Sequence, residues 1–133
     1  MAKLRPKIVK LAKIIGGISG VVNKIDENAP EYYSMANIVS DDEADSAIAA
    51  GLRKERTAGY LAKKVGKTVD EIMPLLDNLV YYGVFRRTYS TEAGQDVYFM
   101  QIFAPGILEM MVNNKELMDA HPEVLSFESL PIL

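Results

Sequence analysis

The sequence predicts a mainly α-helical domain with a small β-hairpin, arranged as a winged helix-turn-helix with extra N- and C-terminal helices. Three observations carry this. Val69, Ile72, Leu75, Leu76, Leu79 and Val80 recur at the i, i+3, i+4 spacing of a buried helical stripe. A shorter amphipathic segment, Thr57 to Gly66, precedes them across a tight turn. After Gly83, the runs Val84–Tyr89 and Asp96–Met100 are rich in β-branched and aromatic residues, with a turn at Ser90–Gln95 between them. Helix, turn, helix, hairpin is the order in which a groove-reading helix is followed by its wing.

Along the chain, residues 1–30 read as a basic amphipathic helix and linker, 31–122 as the winged-helix domain, and 123–133 as an apolar tail. In the first part, Leu4, Ile8, Leu11, Ile15 and Ile18 lie opposite Lys10 and Lys13, which predicts a helix over roughly residues 3–24 that lays its apolar face on protein. A membrane-surface anchor needs the same pattern but usually adds Trp or Phe, which this segment lacks. The Ile14–Val22 run is short, is broken by Gly16, Gly17 and Gly20, and has no small-x-small cleavage site after it, so it does not read as a secretory leader. Nothing approaches the length of a spanning helix, which makes the cytoplasm the default compartment.

Asn28-Ala29-Pro30 breaks the chain, and Ser40 with Glu43 forms a capping box for a helix packed through Ala44, Ala47, Ile48, Gly51 and Leu52. Asp41, Asp42 and Asp45 belong to that helix start, where they complement the dipole; a calcium loop would need more oxygen ligands and a turn glycine. Thr57 caps the next helix and Gly66 closes it. Thr68 and Glu71 form a second capping box, and Pro74 removes one hydrogen bond inside the long helix. Pro105-Gly106 is expected to open a last helix with Ile107, Leu108, Met111, Leu117 and Met118 on its packing face. The tail from Val124 is too apolar for water, so it either folds back or continues into more protein.

Composition removes several chemistries. With no cysteine there is no disulfide, thiolate nucleophile, thiolate zinc site or iron–sulfur ligand in this chain. A single histidine, His121, excludes an all-histidine metal site and leaves no Ser-His-Asp or Cys-His set. The glycines at 16, 17 and 20 are followed by no Lys-Ser/Thr, so they make no phosphate-cradling loop. Tyr32, Tyr33, Tyr81 and Tyr82 read as half-buried packing residues with wet hydroxyls. Catalytic, cofactor-binding and metal residues are therefore expected to be absent.

The second helix of the helix-turn-helix decides between partners. A base-reading helix needs Arg, Lys, Asn or Gln near its start. This one has Asp70, Glu71 and Asp77, a lone amide at Asn78, and no Lys or Arg between residues 69 and 83. Carboxylates there repel phosphodiester instead of displacing its counterions. Asp70, Glu71, Asp77 and Asn78 are accordingly the expected protein-interaction surface. The competing reading is a DNA-binding regulator. It would track the backbone with Lys63, Lys64 and Lys67 before the helix and Arg86 and Arg87 in the wing, and would dimerise through the N-terminal and Pro105 helices. The net charge of −3 supplies no global attraction to nucleic acid.

Arg56-Thr57-Ala58, Leu61 through Glu71, Leu75-Leu76-Asp77-Asn78-Leu79, Gly83-Val84, Tyr98 and Phe103 through Glu109 together resemble one group. It is the winged-helix segment that precedes ferredoxin-type [4Fe-4S] modules in bacterial and archaeal oxidoreductases, some fused to flavin- and nicotinamide-binding domains. The resemblance covers about residues 32–112, and the Pro-Gly-x-x-Glu element after the wing is its most telling part. It implies a non-catalytic docking module of a multidomain or multisubunit redox enzyme. [4Fe-4S], FAD and nicotinamide would belong to a partner subunit or a further domain, because no cysteine here can ligate a cluster.

Overall fold

The computed structural model describes residues 4–17 and 25–124. It is mainly helical, with a small three-stranded antiparallel sheet. The elements run α1 (Pro6–Ile15), α2 (Pro30–Ala36), α3 (Asp41–Ala50), β1 (Arg56–Thr57), α4 (Ala58–Val65), α5 (Val69–Tyr82), β2 (Phe85–Ser90), β3 (Gln95–Met100), α6 (Leu108–Val112) and α7 (Lys115–Ala120). Among the described residues no helix is long and apolar enough to cross a membrane.

The expected basic helix is present as α1, shorter than residues 3–24, with Pro6 in its first turn and Gly16 at its C-cap. The rest of the expected span, including Ile18, lies outside the described residues. Ile8, Leu11, Ala12 and Ile15 are fully buried against α2 and α3, so the apolar face of α1 is consumed inside the molecule. Burying Ile8, Leu11 and Ile15 contributes about 1.5–3 kcal/mol per side chain. The polar side is tied down as well. Arg5 Nη2 donates to Asp41 Oδ1 at 2.8 Å, and Lys7 Nζ to Asp45 Oδ2 at 2.7 Å. Acids placed at the start of α3 for the dipole thus also hold α1. Tyr32 is buried, and its hydroxyl accepts from the Arg5 amide at 3.0 Å, where the sequence suggests a wet phenol.

Ser40 and Glu43 form the predicted capping box of α3, which ends at Ala50 because Gly51 turns the chain at φ +73°. Thr57 caps α4 through the Tyr60 amide, and Thr68 with Glu71 caps α5. Gly66 and Gly83 close α4 and α5 in left-handed conformations. Gly83 has a second constraint: a Cβ there would lie 2.6 Å from Met110 Cβ, so the α5–β2 corner packs on α6 through bare backbone.

The hairpin registers Phe85 against Met100 and Ser90 against Gln95. A short strand before α4 joins it, pairing Arg56 with Tyr98 and Thr57 with Val97, so the sheet order is β1-β3-β2. This third strand is too short to leave a sequence signal. The outer strand β2 exposes Arg86, Arg87, Thr88 and Tyr89, a charged edge that discourages pairing with other chains.

Three expectations are corrected. Val69 is 46% exposed, because the buried stripe of α5 begins only at Ile72, one turn inside the free helix start. Pro105 does not open a helix. Residues 104–106 are non-helical, with Gly106 at φ +154°, and helix resumes at Leu108. A side chain at Gly106 would meet Gln101 at 2.8–3.0 Å, so the chain reverses there because a glycine lets it pass. The expected single last helix is two, broken at Asn113-Asn114, where Asn114 Oδ1 accepts from the Leu117 amide and starts α7. Competing asparagine capping explains the break. Val124 is fully buried, and the rest of the apolar tail lies outside the described residues.

Candidate interaction surface

Helix α5 carries the four residues singled out as an interaction surface, and the fold gives them different neighbours. Asp70 is exposed and has no hydrogen-bond or ion-pair partner among the described residues. Glu71 bonds back to its own cap: its Oε1 accepts from the Thr68 amide at 2.8 Å, and its amide donates to Thr68 Oγ1 at 3.1 Å. Those Thr68 bonds hold its carboxyl below the usual glutamate range, so it stays anionic.

Asp77 faces the β2–β3 hairpin, where Arg87 Nη1 donates to its Oδ1 at 2.9 Å. The Tyr98 hydroxyl and Asp77 both favour the charged guanidinium. Asn78 faces the other way. Its Nδ2 donates at 2.8 Å to Oε2 of Glu43, a carboxylate only 4% exposed whose Oε1 accepts from the Ser40 amide at 2.9 Å. Asn78, though exposed, is therefore tied to α3, a contact that periodicity along one helix cannot reveal. Burial and the neighbouring Glu43 carboxylate push the Tyr82 phenol above its usual range.

Among the exposed residues of α5, which also include Val69, Glu71 and Asn78, Asp70, Pro74, Asp77 and Tyr81 form one ridge, spaced four, three and four residues apart. Pro74 cannot donate to the Asp70 carbonyl, so that acceptor loses its helical partner on the same exposed side. At the far end Tyr81 donates to Glu116 of α7, which raises the phenol above its usual range. The ridge is lined by acceptors and acids. Arg87 is already paired with Asp77 of the ridge.

The basic residues of the competing reading are mostly engaged too. Lys67 lies 3.9 Å from Asp42, and with the Gln101 oxygen turned towards it Arg86 donates from Nη2 at 2.8 Å. Arg56, which precedes α4, stacks over Tyr60 at 4.4 Å and donates to the Ala50 carbonyl at 3.0 Å. Lys64 lies 5.8 Å from the same ring, and Lys63 is exposed with no partner among the described residues.

No other constellation suggests chemistry. His121 contacts Glu123 at 3.2 Å, and no cluster of three His, Cys, Asp or Glu suited to a metal occurs among the described residues. A shallow depression between α3 and α4 is lined by Ile48, Ala49, Val65, Lys64 and Asp45, the last already held by Lys7. The Pro105-Gly106-x-x-Glu109 element has a local role: Glu109 Oε1 accepts from the Gly106 amide at 2.6 Å and orders the turn into α6. Comparison with protein-family models, curated proteins and solved structures finds no match to this chain.

Proposed function

We propose that this chain is a non-catalytic winged-helix module that docks on protein, serving a multidomain or multisubunit iron–sulfur or flavin oxidoreductase. The winged-helix reading is supported by the order α3-β1-α4-α5-β2-β3, the sheet order β1-β3-β2, and the Thr68 turn between α4 and α5. The observation that carries docking on protein is electrostatic. The exposed face of α5 is anionic, and the wing arginine closest to it is bound to Asp77. A duplex approaching that face would have to break the pair and meet uncompensated carboxylates. The oxidoreductase partner rests on the resemblance running from Arg56 to Glu109.

The test places a photo-crosslinking residue at position 74 in the source cell, with position 55 as an exposed control. An adduct specific to position 74, carrying iron or flavin absorbance, is expected. No adduct at 74 would overturn docking through α5, and an adduct without such a cofactor would remove the redox assignment alone. DNA binding remains the second reading because Lys63 and Lys64 are exposed. Steeply salt-dependent binding to random duplex would establish it.

A further inference from the structure

Resting on the protein-docking reading, we infer that the α5 ridge receives a cationic amphipathic helix from its partner. The spacing of Asp70, Pro74, Asp77 and Tyr81 is the alternation of fours and threes that aligns side chains along a helix–helix seam. A buried seam of that kind would be apolar. Here Pro74 and Tyr81 supply two apolar steps, and the other two positions, Asp70 and Asp77, are carboxylates.

The hydrogen-bonding character of the ridge points the same way. The Asp70 carboxylate is unpartnered among the described residues, its carbonyl lacks the donor that Pro74 cannot provide, and Asp77 keeps Oδ2 outside its bond to Arg87. Glu116 adds an acceptor beside Tyr81. A surface of acceptors needs donors, and Lys and Arg bring only donors. Eleven residues of α5 separate Asp70 from Tyr81, a run of about 16 Å, so roughly three turns of partner helix span it.

The experiment titrates the full chain with a fluorescent Leu/Lys amphipathic peptide of about 18 residues at about 50 mM salt, against the same peptide with Glu replacing Lys. The Lys peptide is expected to bind and the Glu peptide not. Asp70→Asn should weaken binding about twofold to fivefold, the range for one exposed ion pair. Asp70→Lys should weaken it further, and Lys54→Glu, away from the ridge, should not. Circular dichroism confirms that each variant folds, which Asp70 permits because it holds nothing in place.

Equal binding to wild type and Asp70→Lys overturns the inference, as does equal binding of the two peptides. Sedimentation showing a homodimer abolished by Asp70→Lys would make a second copy the occupant instead, and Asp70-dependent duplex binding would make it nucleic acid. A crosslink at position 74 without charge-dependent peptide binding removes the cationic helix and leaves the docking reading standing. No crosslink there removes both.

Discussion

Replacing Asn78 with alanine tests whether α5 and α3 are joined through a buried carboxylate. Glu43 is 4% exposed; its Oε1 accepts from the Ser40 amide and its Oε2 from the Asn78 amide, with the Tyr82 phenol a further hydrogen-bonding neighbour. The substitution removes the amide from Oε2 and leaves the buried carboxylate with the Ser40 amide and the Tyr82 phenol. A hydrogen bond to a charged group contributes about 1.5–3 kcal/mol. Because the Asn78 side chain itself reaches solvent, a water replaces part of the bond, and the lower half of that range is expected. With a urea slope of about 1.5 kcal/mol per molar, the midpoint should fall by about 1–1.5 M at constant slope. Asp70→Asn, exposed and unpartnered about two turns earlier, should stay within about 0.5 kcal/mol of wild type. If the two substitutions cost the same, the Glu43–Asn78 link carries no stability and the reasoning fails.

Three further outcomes follow from the same structure. Gly83→Ala should cost about 1–2 kcal/mol for the left-handed backbone and a further ~1–3 kcal/mol for the clash with Met110, seen as a lower urea midpoint; an unchanged midpoint would refute the close α5–α6 approach. Leu11→Ala should cost about 2–5 kcal/mol, because α1 is part of the core; a loss under about 1 kcal/mol would show α1 to be detachable. For Glu71 the folded pKa is depressed, so its stabilising contribution is present above the unfolded glutamate value of about 4.3 and is lost as pH falls through the folded value. Glu71→Gln should therefore flatten the acid limb of a stability–pH curve measured by urea unfolding, and an unaltered limb would refute it.

How far the sequence reveals this architecture depends on the range of the interactions involved. Caps are local, so Ser40 with Glu43, Thr57, and Thr68 with Glu71 are readable from three-residue spacings and form as expected. The hairpin is readable because alternation and turn residues lie within a dozen positions. The contacts that define the candidate surface are not local. Asn78 reaches Glu43 across 35 residues and Arg87 reaches Asp77 around the α5–β2 corner, so neither pairing is written in a periodicity. The Pro105 helix start misleads for a related reason: proline suits the first helical turn, but the chain path past Gln101 required an extended Pro105 and a glycine at φ +154°. The sequence offers no signal for β1, which is two residues long and takes its identity from β3.

These long-range pairings also sharpen which side of α5 can meet a partner. One flank borders the β2–β3 hairpin, where Asp77 pairs with Arg87 and the Tyr98 hydroxyl lies 4.0 Å from Met73. The opposite flank borders α3 through the bond from Asn78 to Glu43, and the inner face is filled by Ile72, Leu76 and Leu79, all fully buried. A partner docking along Asp70, Pro74, Asp77 and Tyr81, as proposed above, would meet carboxylates, a carbonyl to which Pro74 cannot donate, a proline ring and a phenol. Turning that ridge into a duplex-reading surface would take more than one added base contact. The acids would have to go and Arg87 would have to be released, and releasing Arg87 by Asp77→Asn alone leaves Asp70 and Glu71 at the helix start. Loss of a single carboxylate should thus fail to create duplex affinity, whereas it should measurably weaken a cationic partner.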